Sequence, residues 1–211
     1  MAEHTRDEAY RLSDPAAHAA YYDRWAPTYD DDFAQAAGYL APAEVARVFR
    51  SVAATTDDPV ADVGCGTGAL GVALAGSGYA VDGLDISPGM LERARLTGAY
   101  RRLLTADLTA TPLSGAGDYG AVVSSGTFTI GHLGPQTLPA VLGLLRPGGL
   151  CVLGVNARHF VDAGFAAALA GLAAEGRIGP VEVRTVSTYA HPEDPDDLLS
   201  RARVVVTRRT R

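Results

Sequence analysis

The chain predicts an α/β fold: a doubly wound, mostly parallel, seven-stranded sheet with a C-terminal antiparallel hairpin and an N-terminal helical lid. Three observations carry this reading. Short β-rich runs alternate with helical runs from residue 59 to residue 175, which implies parallel strands joined by crossover helices on both faces. The first strand runs into a turn with three glycines and then a helix. The last two β-rich runs have only a polar connection between them, so they pair as an antiparallel hairpin. All 211 residues are expected to form one domain, with 1–41 as leader and lid and 42–211 as core.

Taken in order, residues 1–14 read as a loose polar leader. Residues 15–37 are helical in pattern and aromatic, with Tyr21, Tyr22, Trp25, Tyr29 and Phe33, and are broken at Ala26-Pro27-Thr28. Pro42 opens a helix to about Ala54, with Val45, Val48, Phe49 and Val52 on one face. Strand 59–63 follows, then helix 68–77 and strand 80–85. Ser87-Pro88 starts a helix to about Leu96. Strands 100–104 and 119–125 come next. Helix 135–145 is closed by Arg146-Pro147-Gly148-Gly149, strand 150–155 follows, and 162–175 is a helix. The hairpin comprises 181–189 and 201–207.

Composition narrows the partners. Hydrophobic residues make up 47% and charged residues 20%, the balance of a globular protein. No apolar run reaches bilayer length and the first residues lack a signal-peptide core, so no membrane partner is expected. The net charge of −6 argues against a nucleic-acid partner, and Arg208, Arg209 and Arg211 read as a solvated tail. Cys65 and Cys151 have neither metal-site spacing nor a framework role, which points to reduced thiols and a cytoplasmic location. The basic side chains are all Arg, and with abundant Ala and Gly this suggests a GC-rich bacterial genome. Without Lys, lysine-based catalysis is excluded. A monomer or homodimer is expected.

The strongest local signal is Asp62-Val63-Gly64-Cys65-Gly66-Thr67-Gly68. Glycines there let a ligand approach the backbone, and the helix start points its amides at it. A ligand is expected at the C-terminal ends of the strands, at the switch point of the sheet. Gly66-x-Gly68-x-x-Gly71 is formally a dinucleotide fingerprint, but its register is late: the strand ends at Val63, so the first turn glycine is Gly64. Asp85, ending the second strand, is placed to accept both ribose hydroxyls of a nucleoside. After strand three, Asp107 is placed to accept from an adenine amino group with Leu108 against the ring, though a loop Asp making a turn reads equally simply.

Together the acidic-x-Gly-x-Gly-x-Gly turn, Asp85, Asp107, the Leu-Arg-Pro-Gly-Gly before strand five and the terminal hairpin resemble class I S-adenosylmethionine-dependent methyltransferases. The likeness runs from about Tyr22 to Val206. Tyr-Tyr-Asp-Arg-Trp-Ala-Pro-Thr-Tyr-Asp at 21–30 resembles the start of small-molecule members. Ser-Pro-Gly-Met-Leu-Glu after Asp85 is similar to the methyltransferase-like group named after the Williams–Beuren deletion region.

The resemblance implies a Rossmann-like fold, S-adenosyl-L-methionine as cofactor and methyl transfer to a small-molecule nucleophile at O, N, S or C. It further implies that Asp62, Gly64, Cys65, Gly66 and Gly68 form the turn around the methionine part. Asp85 holds the ribose, Ile86 and Met90 lie near the adenine, and Asp107 and Leu108 take its edge and face. The Ser124 carbonyl receives the methionine amino group and Tyr29 reaches the methionine end. One departure is visible: Tyr119-Gly120 follows Asp118 where members often have Phe-Asp.

The substrate side is read from residues alone. The loop 124–134 follows strand four and holds no carboxylate set, so no metal site is expected. His132 is a candidate general base or substrate anchor, and a loop-fixing hydrogen bond is its plainer role. Asn156, Arg158 and His159 follow strand five at the same edge and, with Tyr22, are candidate substrate contacts, though loop capping accounts for Asn156 as well. Tyr22, Trp25 and Tyr29 read both as a packed helix face and as a lid over the cofactor, with ring faces suited to a sulfonium cation. Two alternatives stay open: an NAD-dependent oxidoreductase, which lacks its Tyr-x-x-x-Lys pair here, and a non-methylating protein on the same fold.

Overall fold

The computed structural model describes residues 8, 14–35, 38–110, 113, 115–192, 194 and 196–211, with side chains omitted at 33–35. The expected leader, Glu8 and Asp14 apart, and the Phe33 side chain therefore lie outside the described residues. Seven strands form one sheet: β1 Val60–Val63, β2 Val81–Asp85, β3 Arg102–Thr105, β4 Tyr119–Phe128, β5 Leu145–Asn156, β6 Glu182–Ser187 and β7 Arg201–Arg208. Their order is β3-β2-β1-β4-β5-β7-β6. The first five pair in parallel, and β7 inserts antiparallel between β5 and β6. Sequence order reverses between β1 and β4, which makes their C-terminal ends the switch point.

The helices are α1 Pro15–Trp25, α2 Ala41–Val52, α3 Ala69–Leu74, α4 Pro88–Leu96, α5 Leu138–Gly143, α6 Ala157–Asp162 and α7 Phe165–Ala174, with a π-helical turn over Asp30–Gln35. One core packs α2 and α3 against a sheet face, through Val45, Phe49, Leu70 and Leu74 on Val60, Ala121 and Val152. The opposite core packs α5 and α7 through Leu138, Val141, Phe165 and Leu169 on Val63, Val122 and Leu153. Strand β1 is buried on both faces, as a central parallel strand covered by helices must be. In α2, Val45, Val48 and Phe49 are the buried face expected of the 3.6-residue period.

Four expectations are corrected. Strand β4 continues to Phe128, with a register shift between Ser124 and Phe128, because Phe128 is fully buried against Phe165. Strand β5 starts at Leu145, opposite Tyr119, and resumes at Leu150 opposite Ala121; Arg146-Pro147-Gly148-Gly149 are the extra residues of that irregularity rather than a helix end. The helix expected at 162–175 is α7, which starts at Phe165, and an unexpected short helix, α6, precedes it, with the chain turning at Gly164. The C-terminal arginines are not a solvated tail. Arg208 grips the buried Asp57 carboxylate with two nitrogens at 2.8 and 2.9 Å, a bidentate pair of the stronger kind. Arg209 donates to the carbonyls of Gly143 and Leu145. Both cysteines are buried free thiols, and no described helix is long and apolar enough to cross a membrane.

Candidate active site

A cavity of about 480 Å³ opens at the switch point, within the roughly 300–1,000 Å³ typical of small-molecule and cofactor sites. The turn after β1 forms one wall. Gly64 has φ +68°, and a Cβ there would stand 2.0 Å from Thr127 Oγ1, so only glycine lets this turn pass under the end of β4. Thr127 Oγ1 in turn donates to the Gly64 carbonyl at 3.1 Å. Gly66, Cys65 and Thr67 line the cavity, whereas Gly68 does not: it is the N-cap of α3.

Four aspartates line this cavity, Asp30, Asp62, Asp85 and Asp107, and two of them, Asp62 and Asp85, come from the central strands β1 and β2. Asp62 is fully buried; its Oδ2 accepts from the Tyr100 hydroxyl at 2.7 Å, and its Oδ1 has no partner. Burial pushes the Asp62 pKa up to about 7, against the opposing Tyr100 hydrogen bond and with Asp85 adding to the rise. Asp85 is held by backbone: Oδ2 accepts from the Gly66 amide and Oδ1 from the Ser87 amide, both at 2.9 Å. Burial raises its pKa too, opposed by those amides. Each carboxylate oxygen accepts more than one hydrogen bond, so Asp85 keeps acceptor capacity for two hydroxyls.

Ile86, Met90, Ala106 and Leu108 give the same cavity an apolar side. Asp107 lies on its lining but uses Oδ1 for the amide and hydroxyl of Thr109, at 2.8 and 2.6 Å, so the turn-making reading holds for that oxygen. The group that fits such a set is a nucleoside with a cationic end: hydroxyl acceptors at Asp85, an apolar slot, and an unpaired buried carboxylate oxygen at Asp62.

A smaller cavity of about 70 Å³ adjoins the first, and the two share Tyr22, Tyr29, Tyr39, Ser125, Gly126 and His132 in their linings. Tyr22 donates from its hydroxyl to His132 Nε2 at 2.6 Å, while His132 Nδ1 donates to the Ile130 carbonyl at 3.1 Å. The imidazole thus carries its proton on Nδ1. Desolvation lowers its pKa to about 4 despite the Ile130 bond, with His18 and His159 adding to the drop. His132 is therefore neutral at pH 7, competent as a hydrogen-bond acceptor and weak as a base. Burial likewise raises the Tyr29 hydroxyl well above its ordinary value, with Tyr22 the next contributor.

The N-terminal segment covers this region through polar anchors. Asp23 Oδ1 accepts from Ser87 Oγ at 2.6 Å and from the Gly89 amide at 2.8 Å. Asp30 Oδ1 accepts from Thr67 Oγ1 at 2.7 Å. Trp25 donates to Asp32 at 3.2 Å and stands edge-on to Tyr29 with ring centroids 4.8 Å apart.

The expected site residues divide clearly. Tyr22, Tyr29, Asp62, Gly64, Cys65, Gly66, Asp85, Ile86, Met90, Asp107, Leu108 and His132 all line the larger cavity. Trp25 lines only the smaller one, because its indole turns toward Asp32 and Tyr29. Ser124 lines neither: it is buried within β4 and donates to the Val63 carbonyl at 2.7 Å, leaving Ser125 on the cavity wall. Asn156 lines the smaller cavity while its Oδ1 caps α6 through the amides of Arg158 and His159. His159 lines neither cavity; that cap turns it to bond the Leu133 carbonyl at 3.0 Å and pack on Phe165. Arg158 pairs with Asp162. Sequence reasoning missed Tyr39, Thr188 and Tyr189, none of which sits in a motif, and it placed Ser125 and Thr127 in the substrate-side loop 124–134 without singling either out.

The sheet order, the glycine turn and the cavity at the switch point define a doubly wound α/β domain with its ligand site at the strand ends. A family model described as a methyltransferase domain matches residues 60–149. Human methyltransferase-like protein 27 is 36% identical over 151 residues, 69% of this chain, and the chain spans 60% of that relative's length. The magnesium protoporphyrin IX methyltransferase of Synechocystis PCC 6803, solved with S-adenosylmethionine bound, superposes with a TM-score of 0.66 at 20% identity, over 94% of this chain and 98% of that one. An S-adenosylmethionine-dependent methyltransferase of Thermotoga maritima, described as a possible histamine N-methyltransferase, gives 0.62 at 17%, over 90% and 98%. At those identities the likeness to the two structures is one of fold. The chain therefore carries a methyltransferase domain over residues 60–149 on a Rossmann-like methyltransferase fold, the fold on which the Synechocystis protein binds S-adenosylmethionine.

Proposed function

We propose that the chain binds S-adenosylmethionine in the larger cavity and transfers its methyl group to a small-molecule nucleophile at O, N, S or C. The observation that carries this reading is a pair of carboxylates on one cavity: Asp85 oriented by two amides, and the buried Asp62 with an unpaired oxygen. In this reading Asp85 holds the ribose, and Ile86, Met90 and Leu108 flank the adenine, with Asp107 at its edge. Asp62 and the turn at Gly64, Cys65 and Gly66 take the methionine end, with Tyr29 above it. The cofactor supplies an electrophilic methyl group on a sulfonium.

The chain's contribution is orientation and exclusion of water. Holding an acceptor in line with a reacting group is worth about 7–11 kcal/mol in favourable cases. Tyr22, Trp25 and Tyr29 cover the site with ring surface, which attracts a cation and keeps water out. Neutral His132 and the Tyr22 hydroxyl form a hydrogen-bonded pair that lines both cavities, placed to orient an acceptor. Supporting a small acceptor, the second cavity is narrow and partly roofed by the N-terminal segment.

Titration calorimetry tests the reading. S-adenosylmethionine and S-adenosylhomocysteine are each expected to bind at one site per chain, and Asp85→Ala to weaken both by about 1–3 kcal/mol. Absence of heat with both, or NAD binding as tightly as either, would overturn it.

A further inference from the structure

The smaller cavity carries information about the acceptor. Six of its lining residues are aromatic: Tyr22, Trp25, Tyr29, Tyr39, Phe128 and Tyr189. Among the described residues its lining has no Asp, Glu or Arg, and His132, its one imidazole, is held neutral by burial. Two hydroxyl oxygens in that lining, Ser125 Oγ and Thr188 Oγ1, are buried and without a hydrogen-bond partner. Buried polar atoms are nearly always paired, and a pair of unpaired ones in one lining calls for a group that completes them.

The two hydroxyls are fixed by backbone. The Thr188 carbonyl accepts from the Leu40 amide and its own amide donates to the Ser200 carbonyl, both at 2.8 Å. Next to it, Tyr39 and Tyr189 form an antiparallel bridge, which ties the end of β6 to the segment leading into α2. Ser125 lies in the irregular stretch of β4 and lines both cavities. At the next position Gly126, which lines both cavities, has φ +83°, and a Cβ there would come within 2.8 Å of Tyr39 Oη, so glycine is what fits beside that hydroxyl. A carboxylate entering would lose its water and meet no counter-charge, and an ammonium would meet ring faces but no carboxylate, so neither recovers the cost of its desolvation in full. An uncharged hydroxyl or amide would be met by two hydroxyls, each able to donate and to accept, and its apolar body by ring faces and edges.

Resting on the proposed cofactor reading, we infer that the smaller cavity selects an uncharged acceptor, taking its neutral hydroxyl or amide group on Ser125 Oγ and Thr188 Oγ1 between tyrosine rings. Ser125 and Thr188 are then specificity-determining residues, one from β4 and one from the C-terminal hairpin.

The test uses phenol, benzoate and benzylammonium as probes, titrated by ligand-observed NMR into the full chain saturated with S-adenosylhomocysteine. Phenol is expected to bind saturably, with benzoate and benzylammonium at least about tenfold weaker. Ser125→Ala and Thr188→Val are each expected to weaken phenol at least about fivefold, and Thr188→Ser, which keeps the hydroxyl, to restore most of the loss. Affinity for S-adenosylhomocysteine, measured on every variant, establishes that each is folded. Charged probes binding as tightly as phenol, no saturable phenol binding, or phenol affinity unchanged in both variants would overturn the inference. Failure of S-adenosylhomocysteine to bind the unmodified chain would take down the cofactor reading and this one together; normal binding of it with phenol indifferent to both variants would take down this one alone.

Discussion

At the scale of single residues, the carboxylates were legible and the hydroxyls were not. Asp62 and Asp85 end strands beside a glycine turn, so local sequence places them at the strand ends with no knowledge of the rest of the chain. Ser125 and Thr188 reach the site only because β4 shifts register after Ser124 and because Tyr189 bridges back to Tyr39. Neither event leaves a local pattern. The same reasoning explains Ser124, where a one-residue change of side within a strand depends on tertiary pairing; His159 is turned instead by the local Asn156 cap toward a distant carbonyl, that of Leu133.

Asp62 also makes a pH prediction. Burial raises its pKa to about 7 in the free protein, and a cationic methionine end beside the unpaired oxygen favours the carboxylate. Binding then releases a proton wherever free Asp62 is protonated, so affinity rises with pH up to the free pKa and levels off above it. Between pH 6 and pH 8 the dissociation constant of S-adenosylhomocysteine is expected to fall about tenfold, the effect of one proton from a group titrating near 7. Asp62→Asn should flatten the profile. Calorimetry at three pH values decides it, and an equally steep profile in the Asn variant would exclude Asp62 as the source.

At the scale of elements, the N-terminal segment is built differently from the sheet. Tyr21 and Trp25 are buried, yet their cluster, with Tyr22 and Tyr29, is separate from both sheet cores. The segment is tied down by side-chain hydrogen bonds from Tyr22, Asp23 and Asp30. An element held this way opens without exposing the main cores, which is the condition for local opening below the global unfolding free energy. The break after Trp25 was legible because Pro27 forbids a continuous helix; the anchors were not, since an Asp in sequence does not declare its distant partner.

Hydrogen exchange is therefore expected to show amides of residues 15–32 gaining protection when S-adenosylhomocysteine binds, while β1, β4 and β5 change little. Fluorescence of Trp25, the single tryptophan, should change in the same titration. Equal protection in free and bound protein would mean that the segment is permanently docked core.

At the scale of the whole molecule, the sheet order follows from the alternation of strands and helices and from the missing crossover before β7. Both were readable because they depend on the order of elements and not on their exact ends. The boundaries that moved, in β4, β5 and the α6–α7 pair, moved where buried aromatics or a turn overrode local pattern: Phe128 and Phe165 meet edge-on across the core with centroids 6.0 Å apart. The hairpin does more than close the sheet. Its β7 anchors the turn before β1 through Arg208 and Asp57, and the residues just beyond β6 carry Thr188 and Tyr189 to the smaller cavity. The two cavities are thereby assembled from the N-terminal segment, the switch point and the hairpin together.

A crystal structure of the chain grown with S-adenosylhomocysteine tests this account most directly. It should show ribose hydroxyls on the Asp85 carboxylate, the adenine between Ile86, Met90 and Leu108, and the amino-acid end beside Asp62 and Gly64, with Tyr29 over the sulfur. A nucleoside bound away from Asp85, or a soaked crystal whose larger cavity holds only water at saturating ligand, would contradict it.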